Sequence, residues 1–215
     1  MLCGMLADCG AGWPASYYRQ LSIPDRCAAL GIAFDETDPD FHCTYLKTVR
    51  RLGAAGTDLF GARLMWEDVG RLLHVLGAMF PDSTGGRGLL EAAFGPLVFM
   101  HLSRADKKAQ AASLLRARTN GLWHLAADGS EIERDPPLWG PDDAPDRLED
   151  YIEELTDHDM VWRHWFAEER ISPVSLTYEA LAADPSGQLR LMLETLGLDP
   201  ERAVTVQPAT AKLPR

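Results

Sequence analysis

Residues Pro96 to His124, PLVFMHLSRADKKAQAASLLRARTNGLWH, constrain the fold more than any other stretch. Leu97–Leu102 is a short apolar run with Val98 and Phe99, the pattern of a buried strand. Ser103-Arg104-Ala105-Asp106 interrupts it. A helical spacing follows, with Ala109, Ala112, Leu115 and Ala117 on or near one face and Lys108, Arg116 and Arg118 elsewhere. A strand that ends at an arginine and feeds a helix makes an anion site: the first helical N–H groups carry partial positive charge, and Arg104 adds a forked donor. The same residues admit a plainer arrangement, in which Arg104 only closes the loop or pairs with Asp106.

The rest of the chain supplies more strands and helices in alternation. Leu2, Met5 and Leu6 have helical spacing up to Asp8, and Gly10 suits the closing position. The turn Gly12-Trp13-Pro14-Ala15-Ser16-Tyr17-Tyr18 carries three aromatics; it reads either as a binding surface or as a loop pinned by Tyr17 and Tyr18 in the core. Leu21–Asp40 reads as loop with a short helix near Cys27–Leu30, and Phe41–Leu52 as an amphipathic helix. Leu59–Trp66 is a candidate strand, Glu67–Met79 a helix, Phe80–Gly88 a loop and Leu89–Phe94 a short helix. Asp128–Asp146, acidic and rich in proline, reads as loop; residues 126–147 as a whole are expected to form a surface loop or lid. Leu148–Phe166 is a long helix and Val174–Tyr178 a strand. A last helix starts with Asp184 as N-cap, Pro185 at the first position and Gln188 as the partner of a capping box. Strands separated by helices imply a parallel sheet covered by helices.

At 215 residues the chain is read as one domain, 1–215, with enough length to bury a core. Its formal charge of -11 argues against general binding to nucleic acid or to anionic membranes, so an anionic ligand must be held by a few local cations. No apolar run approaches the roughly 20 residues of a membrane span. The start MLCGMLADCGAGWP lacks a basic leader, and Cys3, Cys9, Cys27 and Cys43 form no CxxC pair, which suits free thiols in a cytoplasmic protein without a metal site. Asp8-Cys9-Gly10-Ala11-Gly12 has the glycines of a methyltransferase motif but follows a helical pattern rather than a strand, and no GxxxxGK[ST] loop is present. His158 and His164 do not share a helix face, and no Ser–His–Asp set can be placed.

The pieces ADCGAGWPASYY, FGARLMW, VFMHLSRADKKAQAASLLRARTNGLWH, SLTYEAL and LMLETLGLDP fall in an order and spacing that resembles the trehalose 2-sulfotransferase-type (Stf-zero) sulfotransferases over most of the chain. The resemblance implies an α/β fold with a P-loop-like parallel sheet flanked by helices. It also implies a sulfuryl donor, 3'-phosphoadenosine 5'-phosphosulfate, a small-molecule or glycolipid hydroxyl acceptor and no metal. Arg104 and Ser113, in the motif RxDxxxQAxS, would hold the donor's 3'-phosphate, and Lys212 would reach the donor from the C-terminal end. Ser16 stands at the position of a catalytic base, a glutamate in the resembling turn GEPxEFF, and Trp13 replaces a further acid. A serine is a poor general base, so another group deprotonates the acceptor or the acceptor is not trehalose. Arg63 replaces the lysine of FGxKLMW as a catalytic cation near the transferred group, or else forms a strand-edge ion pair. Trp13, Tyr17 and Tyr18, with Arg116 and Trp123 in the organising stretch, are the candidate acceptor contacts.

The resemblance also implies segments that the sequence does not contain. A strand and an RSGST-like loop for the 5'-phosphosulfate would precede Met1, and an acidic, tryptophan-bearing segment would follow Lys212. The expectation is therefore a sulfotransferase fold short of its first central strand, with unpaired sheet edges. The competing expectation is a degenerate, non-catalytic fold that binds a nucleotide or a partner. A homodimer is left open.

Overall fold

In a computed structural model, the structure describes residues 1–126, 130–134, 148–206 and 210–211. Lys212 lies outside them, as do 127–129 and 135–147, most of the stretch expected as a lid.

The helices are α1 (Leu2–Asp8), α2 (Ile23–Leu30), α3 (Pro39–Ala54), α4 (Trp66–Met79), α5 (Gly85–Phe94), α6 (Lys107–Asn120), α7 (Leu148–Glu168), α8 (Tyr178–Ala183) and α9 (Pro185–Thr195). The strands are β1 (Met100–Ser103), β2 (Leu122–Ala126), β3 (Glu131–Arg134), β4 (Val174–Thr177) and β5 (Thr210–Ala211).

Among the described residues, only β1 and β4 run parallel, with Met100 opposite Val174 and Ser103 opposite Thr177. β2, β3 and β5 form a second, antiparallel sheet in the order β3-β2-β5. The parallel sheet expected from the sequence is present as the β1–β4 pair, the antiparallel sheet is an addition to it, and β3 lies inside the span 126–147 read as a surface loop or lid. The connection from β2 to β3 is too short for a crossover, so these strands pair antiparallel. β1 and β4 are separated by α6 and α7, long enough to return in the same direction. Leu102 on β1 is 44% exposed although its partner Leu176 is 5% exposed, so the outer edge of β1 carries an uncovered apolar side chain.

The candidate strand 59–66 is not a strand. It makes one isolated parallel bridge, Ala15 to Ala62, and Trp66 already opens α4. Its backbone bonds go to a helix end and a turn: Gly61 N donates to Gly53 O (3.0 Å) and Arg63 N to Ala15 O (2.9 Å).

Most helices run longer than their periodicity because caps lie outside the apolar stripe. Asp38 caps α3 by accepting from Asp40 N (2.9 Å), and Asp106 caps α6 by accepting from Ala109 N (2.9 Å). α5 begins at Gly85, four residues earlier than its stripe suggests, because Glu169 from the end of α7 accepts from Gly86 N (2.6 Å) and Arg87 N (3.0 Å). That cap is 83 residues away in sequence and leaves no local signal. Asp184 caps α9 through Gly187 N (2.9 Å), but the third helical position is Gly187 rather than Gln188. Asp184 N donates to Ala180 O (3.0 Å), so the reciprocal half of a capping box is not made. On α6 the fully buried positions are Ala111 and Ala117, because the helix turns small residues toward α7. Lys107–Asp159 (2.5 Å) and Arg118–Glu154 (3.1 Å) tie the two helices.

Three apolar clusters hold these elements. Met5, Leu6, Leu176, Leu189 and Leu193 join α1, β4 and α9. Leu72, Leu76, Leu90, Trp165 and Phe166 join α4, α5 and α7. Tyr17, Cys27, Phe41, Tyr45 and Val49 anchor the first turn onto α2 and α3.

Candidate active site

The turn after α1 is fixed by its backbone. Gly12 has φ +74°, and a Cβ there would meet Leu59 O at 2.5 Å and Gly61 N at 2.8 Å, so only glycine fits. Trp13 N donates to Gly53 O (2.6 Å), the oxygen that Gly61 N also uses. With the Ala15–Ala62 bridge, this stitches the turn to the segment before α4. As a result Arg63 Nε donates to Ser16 Oγ at 2.8 Å, joining two residues 47 positions apart, both of them candidate catalytic residues from the sequence. Arg63 is half-buried.

The three aromatics of the turn divide. Tyr17 is 2% exposed; its Oη donates to Trp13 O (2.8 Å), its carbonyl accepts from Tyr45 Oη (2.5 Å), and the Arg26 guanidinium lies 5.0 Å from its ring centre. Tyr18 packs edge-on against Tyr45 and Phe94, and burial pushes its phenol far above the ordinary value. Burial also pushes Tyr45 up to about 12. Trp13 is 56% exposed. The turn therefore presents Trp13 and the Ser16–Arg63 pair outward, and uses Tyr17 and Tyr18 as anchors. Trp123 on β2 carries the Arg19 guanidinium 5.4 Å from its ring centre.

A second cluster forms where β1 and β4 end side by side. The register Ser103–Thr177 brings Arg104 beside the start of α8, and its guanidinium lies 4.5 Å from the Tyr178 ring centre. Arg104 Nε is buried and has no hydrogen-bond partner among the described residues, and the same holds for Arg26 Nε. The backbone donors expected to assist are used within the chain. Glu179 accepts from Ala105 N (3.2 Å) and Asp106 N (3.2 Å), Lys107 N donates to Ala105 O (2.9 Å), and Asp106 takes Ala109 N. Hydrogen bonds from its own backbone N–H, Asp106 and Ala105 hold the Glu179 carboxyl below the usual glutamate range, and Arg104 adds to the effect. Ser113 is half-buried on the second turn of α6, and Arg116 is exposed with Nε donating to Ala112 O (3.3 Å). On β1 itself, burial lowers the pKa of His101, whose ring centre lies 5.5 Å from that of Phe166.

The sequence reading left Tyr178, Glu179 and Arg26 without roles. Tyr178 and Glu179 follow a strand directly, so the parallel register of β1 and β4 is the signal that places them beside Arg104.

Comparison with known proteins bears on what these two clusters serve. The Stf0 sulphotransferase family model matches residues 1–215. The chain belongs to the Stf0 sulphotransferase family. Trehalose 2-sulfotransferase of Mycobacterium tuberculosis (strain ATCC 35801 / TMC 107 / Erdman) is 31% identical over 158 residues, covering 72% of this chain and 57% of the relative. That of Mycolicibacterium smegmatis (strain ATCC 700084 / mc(2)155) is 29% identical over 163 residues, covering 74% and 57%. The chain thus spans little more than half the length of the curated relatives it matches. In this Stf0 member, Ser16 with Arg63, and Arg104 with Tyr178 and Glu179, are the two clusters assembled from motif residues. No described helix is long and apolar enough to cross a membrane.

Proposed function

We propose that the chain carries the catalytic turn and the 3'-phosphate contact of a sulfotransferase that uses 3'-phosphoadenosine 5'-phosphosulfate and sulfates a hydroxyl of a carbohydrate or lipid-like acceptor. The observation that carries this reading is the 2.8 Å contact between Arg63 and Ser16 in a family of sulfotransferases. Bound, the donor would supply the sulfuryl group: the acceptor oxygen would bond to sulfur, the S–O bond to the 5'-phosphate would break with its electron pair leaving on the phosphate, and the acceptor proton would pass to a base other than Ser16. Arg63 sets a fixed positive charge beside the reacting groups, and fixed charge aimed at developing negative charge is the largest lever available without a covalent intermediate. Ser16 Oγ accepts from Arg63, which leaves the Ser16 O–H to donate to the acceptor oxygen. Ser16 thus orients the acceptor and is not the base, because a hydroxyl bound to a guanidinium is a weak proton acceptor. Arg104 and Ser113 bind the 3'-phosphate, the unpartnered Nε supplying a donor toward it.

The test is calorimetric titration with 3',5'-adenosine diphosphate, followed by transfer of labelled sulfuryl to a panel of hydroxyl acceptors. Binding that is lost in Arg104→Ala, with transfer lost in Arg63→Ala, is the expected result; no nucleotide binding sinks the reading. The Glu179 carboxylate on two donors at the start of α6 favours a second reading, a fold that binds nucleotide without catalysis. Nucleotide binding without transfer to any acceptor selects it.

A further inference from the structure

Between the Trp13–Tyr17 turn and the end of α3 lies an open cleft of about 520 Å³, lined by Trp13, Tyr17, Arg26, Arg51, Leu52, Ala55 and Gly56. Its size falls in the ~300–1,000 Å³ range of small-molecule sites. Two arginines and no acidic residue line it, in a chain whose formal charge is -11. A cation-only cleft on an acidic protein concentrates the local potential that attracts an anion.

Structural roles account for one of these arginines only. Arg26 stacks on Tyr17 and its Nη2 donates to Ser16 O at 3.4 Å. Arg51 is exposed and has no acidic partner among the described residues. It does not serve to cover bare carbonyls at the end of α3. Arg51 O and Leu52 O both accept from Ala55 N (3.2 and 3.1 Å), Gly53 O accepts from Trp13 N and Gly61 N, and Ala54 O accepts from Thr57 N (2.8 Å). Ala55 holds φ +48° to make this closure, a conformation that is unfavourable for a non-glycine residue. Trp13 is exposed at the mouth of the cleft, and a flat aromatic face suits stacking on a sugar ring.

Ser16 joins this cleft to the candidate transfer site, its carbonyl meeting Arg26 and its hydroxyl meeting Arg63 at 2.8 Å. Resting on the sulfotransferase reading above, we infer that the cleft receives an acidic substituent, carboxylate or phosphate, of a sugar acceptor whose hydroxyl is presented to Ser16 and Arg63. Trp13 stacks on the ring, Arg51 pairs with the charge, and Arg26 holds the turn.

Calorimetry on the full chain without donor tests this, using glucuronate, glucose 6-phosphate, neutral trehalose and inorganic phosphate as probes. At least one acidic sugar is expected to bind about tenfold more tightly than trehalose, and Arg51→Glu to cancel that preference, since a like charge facing the ligand is repulsive. The acid that binds better tells carboxylate from phosphate. Because Arg51 is exposed, the variant is expected to keep the wild-type melting temperature; if it does not, Arg51→Gln takes its place and must reduce the preference. Trp13→Ala weakens acidic and neutral sugars alike. Trehalose binding as tightly as both acids overturns the inference, as does inorganic phosphate matching the sugar phosphate. Loss of 3',5'-adenosine diphosphate binding in Arg51→Glu also overturns it, because the cleft then belongs to the donor. The two readings fail separately: intact acidic-sugar binding with no sulfuryl transfer sinks the enzyme and keeps the cleft, whereas transfer without any acidic preference does the reverse.

Discussion

Arg63 and Arg104 are each placed by a contact far away in sequence, yet their surroundings differ. Arg63 faces a neutral hydroxyl, and the arginines nearby, Arg26 and Arg51, line a cleft without an acid. Arg104 lies on an aromatic ring beside a carboxylate that already holds the adjacent backbone donors. Among the described residues the turn keeps its positive charge without an acidic partner, which suits the proposed stabilisation of a transferring anion. The strand ends partly balance theirs, which suits the proposed nucleotide contact, where product must leave. The difference also separates how each is held: the turn by glycine geometry, the strand ends by a helix cap and a carboxylate.

Gly12→Val breaks the first region hardest. A side chain at φ +74° and 2.5 Å from Leu59 O forces the turn off the 59–63 segment, at a cost of about 3 kcal/mol or more. Denaturant unfolding measures the loss. The expected companion result is that Ser16 and Arg63 separate and transfer disappears, while any surviving folded fraction still binds nucleotide at Arg104. Equal loss of nucleotide binding in that fraction would show that the two regions are not independent.

Arg63→Ala ranks next. It leaves the backbone bonds of the turn in place and removes the charge, so transfer falls by about a hundredfold or more, with little change in nucleotide affinity. Arg63→Lys restores part of the rate, since charge survives while the fork that meets Ser16 is lost. Steady-state kinetics with labelled donor separates these outcomes.

How much of this was legible depended on whether the cause was local. The order strand, Arg104, helix is written in one continuous stretch, as is the apolar stripe of α9, but β1 runs over Met100–Ser103 rather than 97–102, leaves Leu102 exposed, and α6 buries Ala111 and Ala117 rather than Ala109, Ala112 and Leu115. The run 59–66 read as a strand because an apolar pattern does not record pairing; with the end of α3 and the first turn as neighbours, residues 59–63 form a stitched loop and Trp66 opens α4. The start of α5 was hidden by three glycines and set by Glu169 from another helix. At the site, the residues Ser16, Arg63 and Arg104 stand out in the sequence, but the Ser16–Arg63 contact follows from Gly12, and Glu179 becomes visible only through strand register. The division of the aromatic turn into anchors and an exposed Trp13 depends on packing onto α3, which no property of the turn itself records.

A smaller effect sharpens the second region. Asp106 caps α6 through Ala109 N, so Asp106→Ala is expected to cost about 1 kcal/mol of stability. Asp106→Asn should recover most of it, because an amide oxygen caps nearly as well. Thermal melts of the pair measure this. Transfer at saturating donor should stay within about twofold of wild type, since the Ser16–Arg63 turn shares no element with α6.

Glu179→Gln is the mildest change and the most informative about Arg104. The amide keeps one acceptor for the 105–106 donors and removes the charge beside the guanidinium, so affinity for 3',5'-adenosine diphosphate rises roughly two- to fivefold. That gain should shrink as salt is added, because the carboxylate is exposed and screened. The pH dependence has a definite sign. The folded carboxyl is held below the ordinary glutamate value by hydrogen bonds from its own N–H, Asp106 and Ala105, so its ionised form contributes stability above about pH 4.3. That contribution disappears as pH falls through the folded value, and Glu179→Gln lacks it at every pH. Stability curves of the two proteins should therefore converge in acid and separate above the ordinary glutamate range. Parallel curves at all pH values would place the source of the Glu179 shift outside the native fold, and with it the claim that this carboxylate offsets Arg104.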